Sequence, residues 1–192
     1  MKRDDRTAET RERIERAALK HFVEQGFADT SIRDIAGTAK ISLGAMYNHF
    51  KKKEDLAWEL FINGWNEMGQ ELRRRARSEP GLPGKLRSMA EYVFRRFDED
   101  SLLVAYVFSY RHQHIRMVRS SRGNPYIMFR MVIAEAMRRG EIPHGDLELK
   151  TGIVVGGFTH AIDFRNRLKG PLAEWARPAA DLCLKMLGSK AD

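Results

Sequence analysis

A single cysteine, Cys183, denies this chain any internal disulfide, so packing and hydrogen bonding must hold it together. It shares an apolar helical face with Leu172, Trp175, Ala176, Ala179 and Met186, which reads as core or interface filler. No apolar run approaches the roughly 18 residues of a membrane span, and the start MKRDDRTAETRER lacks the apolar stretch of a secretory signal. The expectation is a cytoplasmic protein with no membrane partner. No segment keeps a period-two alternation and no internal repeat is present, so sheet and solenoid folds are excluded.

Catalytic constellations are equally scarce. G-x-S-x-G, H-E-x-x-H and C-x-x-C do not occur. His112 and His114 stand about 200° apart around a helix and cannot share a metal from one face. His144 and His160 have no carboxylate or thiolate at ligand spacing. Gly152, Gly156 and Gly157 could suggest a phosphate loop, but no strand precedes them and no Gly-Lys-Ser/Thr follows, so they predict close helix packing. The chain is expected to be a binding protein with no catalytic residue, no metal and no cofactor.

What is present is helix. With 192 residues and 43% apolar content the chain can bury a real core. Apolar residues recur at three and four in about nine segments, which predicts an all-α fold. Thr7 or Thr10 is placed to cap a first helix reaching Gln25, with the stripe Ile14, Ala17, Ala18, Phe22. A long fourth helix should begin near Lys53 and close at Arg73-Arg74-Arg75, where cations suit the negative end of the helix dipole. Ser78 to Gly84 reads as a linker, with two prolines and two glycines. Asp100 to Met117 is apolar nearly all round and is expected to be central. Pro125 opens a helix that ends at Gly140, Asp146 caps one reaching Lys169, and Gly170-Pro171 starts the last, which Gly188 stops. The final two should form an antiparallel pair.

Net charge is a poor guide here. The chain carries +8, yet residues 1 to 60 hold 12 Lys and Arg against 11 Asp and Glu, so about +7 lies in the remainder. The local pattern says more: no acid stands between Asp34 and Glu54, while Lys40, Lys51, Lys52 and Lys53 are all basic. Within that window, Ser31 and Asp34 form a capping box before Ile32, Ile35, Ala36 and Ala39, one buried face of a short helix. Ser42 can cap a second helix with Leu43, Met46 and Phe50 inward and Ser42, Gly44, Ala45, Tyr47, Asn48 and His49 outward. Such a face suits the major groove, because Gly44 and Ala45 let the backbone approach bases closely.

These residues, with Ile14, Ala17, Ala18, Phe22, Gly26, Phe27, Thr30, Tyr47, His49-Phe50, Lys53 and Leu56, resemble the N-terminal domain of TetR-type one-component transcriptional regulators. The resemblance is specific over residues 10 to 60. It implies a three-helix DNA-binding domain over residues 1–52 and a helical effector-binding and dimerisation domain over 53–192. One departure stands out: the family usually has glycine where this chain has Lys40. A lysine held at positive φ there should cost about 1 kcal/mol.

The reading is a homodimeric, ligand-responsive repressor of double-stranded operator DNA, with an activator or effector-independent regulator as the alternative. Thr30, Ser31, Lys40, Ser42, Tyr47, His49 and Lys53 are the expected backbone-facing residues, and Gly44, Ala45 and Asn48 those against base edges. A pocket for a small apolar effector is expected among Trp65, Met68, Phe94, Phe97, Tyr106, Tyr110, Phe129 and Met131, with Arg111, His114, His160 or Arg165 as polar anchors for an acidic group. Gly156, Gly157, Phe158, Ile162, Phe164, Trp175, Ala179, Leu182 and Met186 are candidates to face a second copy.

Overall fold

The computed structural model describes the backbone of residues 2–118 and 123–189, and the side chains of residues 6–110, 123–165 and 167–189. Among the described residues there are nine α-helices, two short 3-10 turns and no strand. Three helices build a head: α1 (Lys2–Glu24), α2 (Ile32–Thr38) and α3 (Leu43–His49). Six build a body: α4 (Lys53–Ser78), α5 (Leu82–Glu99), α6 (Ser101–Val118), α7 (Pro125–Arg138), α8 (Leu147–Asp163) and α9 (Ala176–Leu187).

The expected all-helical fold is what forms, but several boundaries move. α1 is already helical at Lys2, because nothing in its charged first turns breaks a helix. Thr10 is therefore no cap; its hydroxyl donates back to the Arg6 carbonyl at 2.7 Å. The long fourth helix runs past the arginines to Ser78, and two of them are spent on Glu71, Arg74 at i,i+3 and Arg75 at i,i+4. Of the expected linker only Glu79 to Gly81 stays outside helix, since Pro83 falls in the first turn of α5, where its missing N–H has no partner to lose. α8 stops at Asp163, and the segment to Lys169 holds a 3-10 turn over Arg165–Arg167.

The central position also differs. α5 touches α4, α6, α7, α8 and α9, and buries Leu86, Met89, Ala90, Val93 and Phe94. The additional apolar face of α6 is covered by α1 of the head. There Phe22, Phe27, Tyr106 and Tyr110 form a cluster, with the Tyr106 and Tyr110 ring centroids 4.4 Å apart. The Tyr106 hydroxyl donates to the Ala57 carbonyl of α4 at 2.8 Å, so α6 grips two elements at the junction of head and body. Asp100 caps α6 through the Leu103 N–H and receives Arg16 of α1 at 2.6 Å.

Candidate nucleic-acid interface and effector cavity

The head is fastened by polar contacts to its own backbone. Ser31 accepts the Asp34 N–H, and the Asp34 carboxylate accepts both the Ser31 hydroxyl and N–H, so the capping box closes in both directions. Those bonds hold the Asp34 carboxyl below the usual aspartate range. At the other end of α2, Lys40 takes φ of 55°, as the missing glycine led one to expect. The Lys40 N–H donates to Gly37 and the Ile41 N–H to Ala36, which is the two-bond closure of a Schellman motif. Arg13 of α1 reaches across to the Ala39 and Lys40 carbonyls and ties the strained residue down.

The turn delivers α3 with Met46 and Phe50 buried. Ser42 caps it by accepting the Ala45 N–H at 3.1 Å. Ser31, Lys40, Ser42, Gly44, Tyr47 and Asn48 are exposed, while Ala45 and His49 are half-buried at the rim of the same face. A Cβ on Gly44 would meet nothing closer than the Ser42 hydroxyl at 4.0 Å, so packing within the chain does not require glycine there.

Three readings of the head need correction. Leu43 is 37% exposed, because at the first position of α3 it projects beyond the helices that cover Met46. Thr30 is buried, and its hydroxyl donates to Gly26 at 2.8 Å. Lys53 is half-buried: its ammonium donates to the Phe27 and Thr30 carbonyls, both at 2.6 Å, and lies 4.3 Å from the centre of the Phe27 ring. Both side chains brace the loop between α1 and α2 instead of standing out from the head. Lys51 and Lys52 are exposed on the turn before α4, and only the run of three lysines pointed to them.

The body encloses a cavity of about 410 Å³. Trp65, Met68 and Leu72 of α4 form one wall, Val93 of α5 and Phe108 of α6 the next, then Tyr126 and Phe129 of α7, and Gly152, Val155, Gly156, Phe158 and Thr159 of α8. Of the expected residues, Trp65, Met68 and Phe129 are in the wall. Phe94 stands behind it, edge-on to Phe158, and Phe97 packs partly buried on the core. Tyr106 and Tyr110 belong to the head junction. Met131 is 57% exposed, His160 is exposed beside Phe164, and Arg165 donates to the Leu168 carbonyl. The side chains of Arg111 and His114 lie outside the described residues. These helices are apolar on more than one face, so residue type alone does not say which face meets the void. The described wall carries no charged side chain.

On the far side of α8 lies an open apolar face. Lys150 reaches the Leu187 carbonyl, a Cβ on Gly157 would be 3.4 Å from the Cys183 sulfur, and Ala161 and Phe164 share a groove with Trp175 and Pro178, so α8 and α9 run antiparallel. Leu149, Leu182 and Met186 are more than 60% exposed, and Phe164 and Trp175 are exposed beside them. Phe158 and Ile162, candidates for that face, turn inward instead. Gly152 and Gly156 border both the cavity and the open face. The expected close helix contact occurs only at Gly157; a Cβ on Gly152 or Gly156 meets nothing within 4 Å. Burial pushes the Cys183 thiol up to about 11, the behaviour of packing rather than of a reactive sulfur.

Comparison with known proteins agrees with the head and with the whole fold. The family model described as bacterial regulatory proteins, tetR family, matches residues 14–60. The probable HTH-type transcriptional regulator ArpR of Pseudomonas putida is 29% identical over 157 residues, 76% of this chain and 74% of that protein. A bacterial regulatory protein of the tetR family from Rhodococcus RHA1 superposes with a TM-score of 0.78 at 21% identity, covering 95% of this chain and 98% of the other. FadR from Bacillus subtilis, solved with stearoyl-CoA, superposes at 0.65 and 21% identity, covering 89% and 96%. A closed capping box, a braced turn and an exposed short helix stand inside a fold shared along nearly the whole chain with these proteins: residues 14–60 match the tetR-family DNA-binding domain, and the chain is similar to TetR-type helix-turn-helix transcriptional regulators.

Proposed function

We propose that the chain is a homodimeric repressor whose head, residues 1–52, holds operator DNA and whose body, residues 53–192, pairs two copies and lets go of the DNA when a small apolar molecule fills the cavity. The observation that carries this reading is α4. Its first residue, Lys53, braces the head, and its middle residues Trp65, Met68 and Leu72 form a cavity wall. At 1.5 Å per residue its 26 residues span about 39 Å, long enough to link both sites in one rigid rod. α6 supplies a second link, with Phe108 in the wall and Tyr106 and Tyr110 against the head.

On the DNA, Ser42, Tyr47, His49, Lys40, Lys51 and Lys52 contact phosphates, while Asn48 reaches a base edge over the open surface at Gly44 and Ala45. Two heads held by a dimer must match half-sites roughly 34–36 Å apart, so a shift of a few Å in α4 suffices for release. The exposed apolar face of α8 and α9 supports pairing of two copies. FadR of Bacillus subtilis, alike in fold, was solved with stearoyl-CoA, whose stearoyl chain is the kind of apolar group this cavity suits.

The test is binding to DNA upstream of the chain's own gene, followed by fluorescence anisotropy while neutral aromatic compounds are titrated. Asn48→Ala should relax preference at one base position and leave the salt slope unchanged. A compound that raises the melting temperature should also release the DNA. Stabilising compounds that leave the DNA bound would refute the repressor reading.

A further inference from the structure

We propose that Leu43, the first residue of α3, reads thymine: its side chain packs on the C5-methyl group of one thymine in the major groove and so sets sequence preference at that position. The inference rests on the reading of the head as the part that holds DNA.

Among the described residues of the head, three large apolar side chains are exposed: Val23 of α1, and Leu43 and Tyr47 of α3. Two of the three therefore fall on a helix of seven residues. A lone exposed leucine needs no explanation, but Leu43 is 37% exposed and Tyr47 42% exposed, and residues four apart share one helix face. The neighbours do not wall it in: Gly44 has no side chain, and a Cβ there would meet nothing closer than the Ser42 hydroxyl at 4.0 Å. Side chains lean toward the start of their own helix, so Leu43 overhangs the end at which a recognition helix meets base edges.

The major-groove edges of the bases present hydrogen-bond donors and acceptors with one exception, the thymine methyl. A leucine makes no hydrogen bond, so thymine alone gives it a favourable contact; against the other three bases it covers polar atoms without pairing them. Of the exposed residues of α3, Tyr47 carries a hydroxyl, Asn48 an amide and Gly44 no side chain. That leaves Leu43 as the exposed side chain of α3 suited to a methyl and to nothing else in the groove.

Exchanging thymine for uracil removes that methyl and nothing else. The probe is a duplex selected from a random library by the full-length protein, with each thymine replaced by uracil in turn and binding read by fluorescence anisotropy. At one position of a half-site the exchange should weaken binding about fourfold, the worth of one buried methyl. Leu43→Ala should bind the thymine and uracil duplexes alike and keep the wild-type salt slope, because no phosphate contact is lost. A selected duplex in which no thymine is sensitive to the exchange, or an undiminished difference in Leu43→Ala, overturns the proposal while leaving the head as a DNA reader. If Leu43→Ala fails to fold, Leu43→Asn, a polar side chain of the same shape, is read for the same two outcomes. Failure of the wild type to select any duplex overturns the DNA-binding reading, and this proposal with it.

Discussion

Head and body manage their polar groups in opposite ways. In the head, the carbonyls of residues 27, 30, 39 and 40, left over by short helices, receive charged donors from Lys53 and Arg13. In the body, five helices frame an apolar cavity of about 410 Å³, and the buried Trp65 donor finds no acceptor among the described residues. A reading head must present α3 at a fixed angle, so its loops are tied from several sides. On the proposed reading the body is a receptor that must be able to change, and its slack sits between helices, where filling a space can shift a rod. The lesson is that stiffness and slack are segregated along one helix, with the first residue of α4 in the stiff part and its middle in the slack part.

The most severe way to break the comparison is to overfill the body. A Cβ on Gly69 would overlap the Gly123 carbonyl, a backbone atom with little room to yield. Gly69→Ala should destabilise the body by about 3 kcal/mol. Urea unfolding followed by tryptophan fluorescence measures it, since Trp58, Trp65 and Trp175 all lie in the body. A loss below 1 kcal/mol would show that the body yields where it appears closed.

Removing the brace tests the other half. Lys53→Ala leaves the Phe27 and Thr30 carbonyls without their cation and should cost the head about 2 kcal/mol. Hydrogen exchange in α2 and α3 should speed up while the body's tryptophan signal stays unmoved. Were Lys53 a phosphate ligand only, DNA affinity would fall with exchange unchanged.

Gly156→Leu sharpens the role of the open face. The single chain has room for that side chain, so monomer stability should change by less than about 1 kcal/mol. Dimer affinity should still fall at least tenfold, as read by sedimentation, because a second copy could no longer approach. An unaltered dimer would move the interface elsewhere.

The smallest effect is the most discriminating. Lys40→Gly relieves a left-handed lysine and should stabilise the head by about 1 kcal/mol. If Lys40 also meets a phosphate, the same change lowers the salt slope of DNA binding by about one unit. A steeper melting gain with an unchanged slope would make Lys40 a turn residue only.

Much of the head could be read from the sequence because its signals are local. Ser31 with Asp34, Ser42, the left-handed turn at Lys40 and the lysine run are each decided within a few residues. The inward reach of Lys53 is not legible in the sequence because its partners, Phe27 and Thr30, are more than twenty positions away, and a lysine looks the same whether it reaches inward or outward. In the body the helices could be read but the cavity could not. Phe94, Tyr106 and Phe129 share an apolar, aromatic character, and only the packing of five helices decides that Phe129 meets the void while the other two do not. Leu43 shows the same limit at small scale: its period points inward, and its place at a helix end points outward.

Gly152 and Gly156 give the fold an evolutionary constraint. Most proteins can adjust what they bind and how they assemble through separate residues. Here, a bulkier side chain at either position narrows the chamber or roughens the outer surface, depending only on its rotamer. On the proposed reading of the cavity and of the outer face, selection for a new ligand at these two codons is also selection on the pairing of two copies, and drift in one property is visible to the other. Diversification of ligand range in such a lineage should proceed through α4 and α7, leaving this stretch of α8 bare.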